Sequence, residues 1–242
     1  MHEVDLYASG IQNALIGKGI FMHDVIRDMR MVAFDLDGTL IDSVPDLAAA
    51  LDASLVDQGM PPAGEARVRD WVGNGSRRLV ESALGDALKR PVEADELEAC
   101  HARFLAHYHA SPVAFTKLYP GVREAIEGLA ASGLSLALIT NKPKAFIAPI
   151  LEHFDLAGSF GLCLGGDSLD EKKPDPTPLL HAAAYFGVSP DACLMVGDSR
   201  HDIEAGKRAG FRTLAVPYGY NHGESVLDSH PDVLVESLSE LV

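Results

Sequence analysis

The sequence predicts an α/β protein: a parallel sheet flanked by helices, with an all-helical module inserted after the first strand. Three observations predict it. From Met31 onward, short apolar runs alternate with helical patterns, as buried parallel strands joined by crossover helices require. Those runs end in polar, chemistry-bearing residues rather than in hairpin turns. The interval 45–115 shows helical periodicity and no strand run of comparable quality.

Residues 1–30 read as an N-terminal extension, either an upstream start or a poorly ordered arm, with Met22, Met29 and Met31 each a plausible start. The stretch opens on His2, Glu3 and Asp5 and breaks its apolar content at Gln12, Asn13 and Lys18, so it does not read as a signal peptide. The first strand is Met31–Phe34, ending in Asp35. In the inserted module, Leu47, Leu51 and Leu55 recur at helical spacing behind Ser43 as N-cap and Pro45 in the first turn, with Gly59 as the stop. Shorter helices follow around Gly73-Asn74-Gly75, and Leu97, Phe104 and Tyr108 mark a second long helix. The chain rejoins the sheet near Tyr119-Pro120-Gly121, so residues 31–44 and 116–242 form the core and 45–115 the insert. Further strands are expected at 134–139, 160–164, 193–196 and 212–216, with helices at 121–132, 144–154, 176–187 and 202–209.

Charge narrows the partners. Against 20 Lys and Arg stand 35 Asp and Glu, a net charge of -15. Such a surface repels nucleic acid and anionic lipid. It repels a phosphorylated metabolite as well, so any phosphate site must reverse the field locally with a cation, a lysine or backbone N–H groups. No run approaches the length of a membrane span. Cys100, Cys163 and Cys193 are scattered and form neither a disulfide framework nor a zinc pattern, which fits a reducing cytoplasm.

Four polar elements fall at or just past the strand ends, which an open parallel sheet gathers along one edge. Asp35 and Asp37 flank Leu36 and precede Gly38 and Thr39. One carboxylate of such a pair can attack phosphorus, and the other can pass a proton to the leaving alkoxide. Gly38 permits close backbone approach, and Thr39 can donate a hydrogen bond. Asp198 and Asp202 follow a later strand; with Asp35 and the carbonyl of Asp37 they suit a hard cation such as Mg²⁺. Lys173, held extended by Pro174, can neutralise phosphoryl oxygens, and Thr140-Asn141 can hydrogen-bond them. Singly, each group has an ordinary explanation: a loop, a helix cap, a solvated lysine or a strand-end threonine. Four of them at one sheet edge do not.

These segments, D-L-D-G-T-L at 35–40, I-T-N at 139–141, K-K-P-D-P at 172–176 and V-G-D-S-x-x-D at 196–202, resemble the four motifs of the haloacid dehalogenase superfamily, in its order. The resemblance covers 31–242 and implies that superfamily's Rossmann-like core with a helical cap. It implies Asp35 as nucleophile, Asp37 as acid and base, and Thr140 and Lys173 on the phosphate. Mg²⁺ would sit on Asp35, Asp37 and Asp198, with Asp202 acting through water or by orienting Lys173. Asp37 favours phosphatase or phosphomutase over dehalogenase, which protonates no alkoxide.

Further segments, S-V-P-D-L at 43–47, W-V-G-N-G at 71–75, L-Y-P-G-V at 118–122, T-N-K-P at 140–143 and Y-G-Y-N at 218–221, are similar to the bacterial phosphoglycolate phosphatase family. That similarity implies hydrolysis of a small phosphorylated acid of carbohydrate metabolism, by a monomer or small homo-oligomer. Asn74, Ser76 and Arg77 at a helix start, or Lys142, are the candidates for the substrate carboxylate. The rivals are a β-phosphoglucomutase-like enzyme, a phosphatase for another sugar phosphate, a receiver domain and a silent scaffold on the same fold. The last two are disfavoured by a capped arrangement that retains all four motifs. His101, His107 and His109 do not share a helix face as metal ligands would.

Overall fold

The computed structural model describes residues 22–242. Its strands are β1 (Met31–Phe34), β2 (Ile41–Asp42), β3 (Lys117–Leu118), β4 (Ser135–Ile139), β5 (Leu162–Leu164), β6 (Cys193–Gly197), β7 (Arg212–Ala215) and β8 (Val233–Leu234). Its α-helices are α1 (Val44–Val56), α2 (Glu65–Trp71), α3 (Ser76–Leu88), α4 (Ala94–Ala110), α5 (Val122–Ala131), α6 (Ile147–His153), α7 (Thr177–Phe186) and α8 (Arg200–Ala209).

Six strands form one parallel sheet in the order β5-β4-β1-β6-β7-β8. Every residue of β1 is buried because the strand feeds two cores. Val32 and Phe34 point into the larger one, Met31 and Ala33 into the smaller, as the two-residue period of a strand demands. That is why the run reads as continuously apolar rather than alternating. Phe34 lies opposite Leu138 on one side and Val196 on the other. The chain lays down β4 and β5 on one flank of β1 and then crosses to β6 on the other. The strand order thus reverses about β1, and a crevice opens beyond its C-terminal end.

Helices α1–α4 occupy the interval between β2 and β3. Leu47, Leu51 and Leu55 of α1 and Leu97, Cys100, Phe104 and Tyr108 of α4 are buried in one cluster. At α4, Glu93 and Glu96 make a reciprocal capping box. Entry and exit of the module are tied together. The buried Asp46 carboxylate accepts from the N–H groups of Phe115 and Thr116 and from the Thr116 hydroxyl, the last at 2.6 Å.

Three features differ from the sequence expectation. Packing begins before Met31: Val25, Ile26 and Met29 are buried, and Arg30 N–H donates to the Ala192 carbonyl at 2.8 Å. Val25, Ile26 and Met29 therefore join the core, whereas the rest of the expected extension before residue 22 lies outside the described residues. An antiparallel two-strand ribbon, β2 with β3, spans the module's base. An edge strand, β8, completes the sheet. At two residues each, β2, β3 and β8 are too short to show a period. Among the described residues no helix is long and apolar enough to cross a membrane.

Candidate active site

The site forms where β1, β4 and β6 end. Asp35 leaves β1 with its N–H bonded to the Val196 carbonyl, which fixes its backbone against β6. Asp198 follows β6, and Asp202 sits in the first turn of α8, where it closes a capping box with Ser199. One oxygen from each of Asp35, Asp198 and Asp202 lies within 4.8 Å of the others. Three carboxylates this close, in a buried crevice, repel one another. A single ammonium answers them: Lys173 Nζ is 2.8 Å from Asp35 Oδ1 and 2.6 Å from Asp202 Oδ1.

One ammonium is not enough. Burial, reinforced by Asp202 against the opposing Lys173, pushes the Asp35 carboxyl up to about 7. Burial, then Asp202 and Asp35, raises Asp198 well above the carboxylate range. Asp35 Oδ1 touches the ammonium, yet it has no aligned hydrogen-bond donor among the described residues. A hard divalent cation fits this all-oxygen set, because it supplies the charge the carboxylates lack.

Asp198 is held by three groups. Thr39 Oγ1 donates to Oδ1 at 2.6 Å, and Tyr220 N–H donates to Oδ2 at 2.6 Å. Gly38 clears the space: its φ is +90°, and a Cβ there would lie 2.2 Å from Asp198 Oδ2. Thr39 and Gly38 therefore position Asp198. The Thr39 hydroxyl proton is thus committed to a carboxylate rather than to a phosphate.

Asp37 turns away from this cluster. Its Oδ1 accepts from Lys142 Nζ at 2.8 Å and from Ser43 Oγ at 2.5 Å, and its Oδ2 lies 3.2 Å from the same ammonium. Ser43, expected as an N-cap, makes no side-chain cap; its hydroxyl serves Asp37 instead. Thr140 is buried and its Oγ1 accepts from Lys142 N–H, which leaves its own proton free for an oxyanion.

Asp35, Asp37, Thr140 and Lys142 line a pocket whose far wall comes from the helical module, through Gly75, Ser76 and Tyr108 among others. Asn141 lines it too, but its amide group donates to the Gly73 and Lys173 carbonyls, each at 2.9 Å. It joins the module to the Lys173 loop, so the phosphate contact expected of it is not available from its N–H groups.

Asn74 and Arg77 are not brought together with the rest. Arg77 is half exposed and ion-paired to Glu98 on the module surface, and the Asn74 amide faces His222 at 3.4 Å. His101 contacts Ser76 Oγ and His107 pairs with Asp57, so neither enters a metal cluster. Tyr220 and Tyr108 went unassigned in the sequence. Tyr220 belongs to the Y-G-Y-N segment at 218–221, and Tyr108 marks the second long helix with Leu97 and Phe104; neither pattern gives a hydroxyl its partner.

The model of the family described as "Haloacid dehalogenase-like hydrolase" matches residues 32–216. This chain belongs to that family. The haloacid dehalogenase-like assignment spans all four motif segments and the inserted helices. Among its curated relatives, "Phosphoglycolate phosphatase 1" of Pseudomonas aeruginosa is 45% identical over 214 residues, 88% of this chain and 78% of that protein. A phosphoglycolate phosphatase of Nitrosococcus oceani is 41% identical over 217 residues, 90% of this chain and 96% of that one. A solved structure from Haemophilus somnus 129PT, described as a predicted phosphoglycolate phosphatase, superposes with a TM-score of 0.84 at 36% identity, covering 88% of this chain and 96% of that chain.

Proposed function

We propose that the chain is a Mg²⁺-dependent phosphatase that hydrolyses 2-phosphoglycolate to glycolate and phosphate through an aspartyl-phosphate on Asp35. The observation that carries this is the division of labour between the two neighbouring aspartates. Both line the pocket beneath the helical module, but Asp35 also faces a cation-demanding carboxylate cluster, whereas Asp37 is held by Lys142 and Ser43.

In the first step an Asp35 oxygen attacks phosphorus and the ester P–O bond breaks, with Asp37 giving its proton to the departing glycolate oxygen. In the second, Asp37 takes a proton from water as that water attacks phosphorus, releasing phosphate and restoring the Asp35 carboxylate. Lys173 and the Thr140 hydroxyl stabilise the equatorial phosphoryl oxygens. Asp202 orients Lys173 through its 2.6 Å contact. Mg²⁺, held by Asp35, Asp198 and the Asp37 carbonyl, with Asp202 within reach through water, would neutralise charge developing on the phosphoryl group. Residues 45–115 act as the cap over a core of 31–44 and 116–242, excluding water until the second step.

The relatives' names support the substrate, and the Lys142 ammonium in the pocket lining offers a partner to its acid group. A phosphate-release screen over small esters tests this. Rapid release from 2-phosphoglycolate, little from hexose phosphates, silence in EDTA and recovery with Mg²⁺ are expected. Asp35→Asn should abolish turnover while the circular-dichroism spectrum stays native. An Asp35→Asn protein with wild-type rates would overturn the nucleophile assignment. Hexose phosphates as the better substrates would move the reading to a sugar-phosphate enzyme.

A further inference from the structure

Two buried polar groups lie together beneath the helical module. The Tyr108 hydroxyl, on α4, is 1% exposed and has no hydrogen-bond partner among the described residues. An unsatisfied buried hydroxyl is costly, and a phenylalanine would fill the same space without that cost. The second is Lys142, an almost fully buried lysine whose ammonium lies 4.7 Å from the Tyr108 ring centroid and 2.8 Å from Asp37. Burial opposes its charge, but Asp37 and then Tyr108 more than offset this and hold it protonated. Opposite them α3 begins at Ser76 with no acidic residue in its first turn, so the positive end of its dipole faces the same pocket. A buried ammonium, a hydroxyl waiting for an acceptor and a helix N-terminus converge on one spot. Together they ask for an anion.

That anion is not the phosphoryl group, which Asp35, Lys173 and Thr140 serve at the sheet edge. We propose that Lys142 and Tyr108 seat the substrate's carboxylate. The inference rests on the phosphatase reading above and deepens it. Both Asp37 oxygens now lie within reach of the ammonium, and Oδ1 also accepts from Ser43. A substrate carboxylate offers the ammonium a better partner, with the Tyr108 hydroxyl as a second donor. Position also limits the substrate. Asp37 must touch the ester oxygen and Lys142 touches Asp37, so the carboxylate they reach is one bonded to the ester-bearing carbon. The class selected is the 2-phosphorylated α-hydroxy acids; an uncharged ester leaves Lys142 on Asp37.

The test compares 2-phosphoglycolate with 2-hydroxyethyl phosphate, its neutral counterpart, in the full-length Mg²⁺-loaded enzyme. Wild type should favour the acid. Tyr108→Phe should melt at or above the wild-type temperature and raise KM for 2-phosphoglycolate by roughly tenfold, a larger change than for 2-hydroxyethyl phosphate. Lys142→Met should lower kcat/KM for the acid by about 10²-fold, a larger loss than for 2-hydroxyethyl phosphate. An unchanged ratio of the two substrates in the Tyr108→Phe enzyme overturns the proposal, even if Lys142→Met fails to fold. An equal fold-loss on both substrates in Lys142→Met overturns its part in the seat. These failures are distinct from failure of the phosphatase reading, in which wild type hydrolyses neither ester.

Discussion

Lys173→Met probes the charge balance on which the site depends. Lys173 Nζ lies 2.8 Å from Asp35 and 2.6 Å from Asp202, with its side chain 2% exposed and that of Asp202 1% exposed. At an effective dielectric of about 20, each contact is a Coulomb attraction of roughly 6 kcal/mol. The loss on substitution is smaller, because carboxylates left alone take up protons instead of staying charged. Removing one partner of a buried pair costs about 3–5 kcal/mol. For a chain of this length that corresponds to a fall in Tm of roughly 6–20 °C. Urea unfolding followed by circular dichroism, in EDTA near neutral pH, measures it directly. The double variant Lys173→Met with Asp202→Asn should recover part of the loss, because the stranded negative charge goes with it. Added Mg²⁺ should narrow the gap by standing in for the ammonium. A Lys173→Met protein that unfolds at the wild-type urea midpoint in EDTA would refute the reasoning.

Two more outcomes follow from the same cluster. Asp35 is raised in the fold to about 7 from a usual value of 3.8, so between those limits the folded state binds more protons than the unfolded one. Stability in EDTA should therefore fall as pH rises from about 4 to 7, and Asp198 acts in the same direction. Thermal melts across that range check the sign, and saturating Mg²⁺ should flatten the slope; stability that climbs through the window in EDTA contradicts the charge assignment. Gly38→Ala puts a Cβ 2.2 Å from Asp198 Oδ2 at a φ of +90°, so it should cost at least about 1 kcal/mol and raise the Mg²⁺ concentration needed for half-maximal activity. A magnesium titration of that variant indistinguishable from wild type would show that Asp198 does not need this space.

The catalytic edge was legible because its residues sit at the ends of strands the pattern reveals. Asp35 follows four consecutive buried residues, and Asp198 and Thr140 follow two more such runs. Parallel strands bring their ends to one edge by topology alone, so the convergence of Asp35, Lys173, Asp198 and Asp202 could be inferred without coordinates. What each side chain does within that edge was less legible. Thr39 and Gly38 carry the residue types of a phosphate loop, but their partner is Asp198, more than 150 residues away in the chain.

The pocket beneath the cap lay beyond the sequence. Arg77 looked like the anion binder because it is cationic at a helix start, yet Glu98 on the neighbouring α4 holds it at the surface. Tyr108 looked like core because it recurs with Leu97 and Phe104 on one helix face, and it is core in burial, but its hydroxyl opens on the pocket beside Lys142. Periodicity reports which face of an element is buried, and so the amino-acid order alone determined the fold, the insert and the four catalytic segments. It does not report which buried polar atom ends up facing which, since that depends on how the cap rests on the core. Lys142 was already a candidate in the sequence, but only the tertiary structure decided its pairing with Asp37.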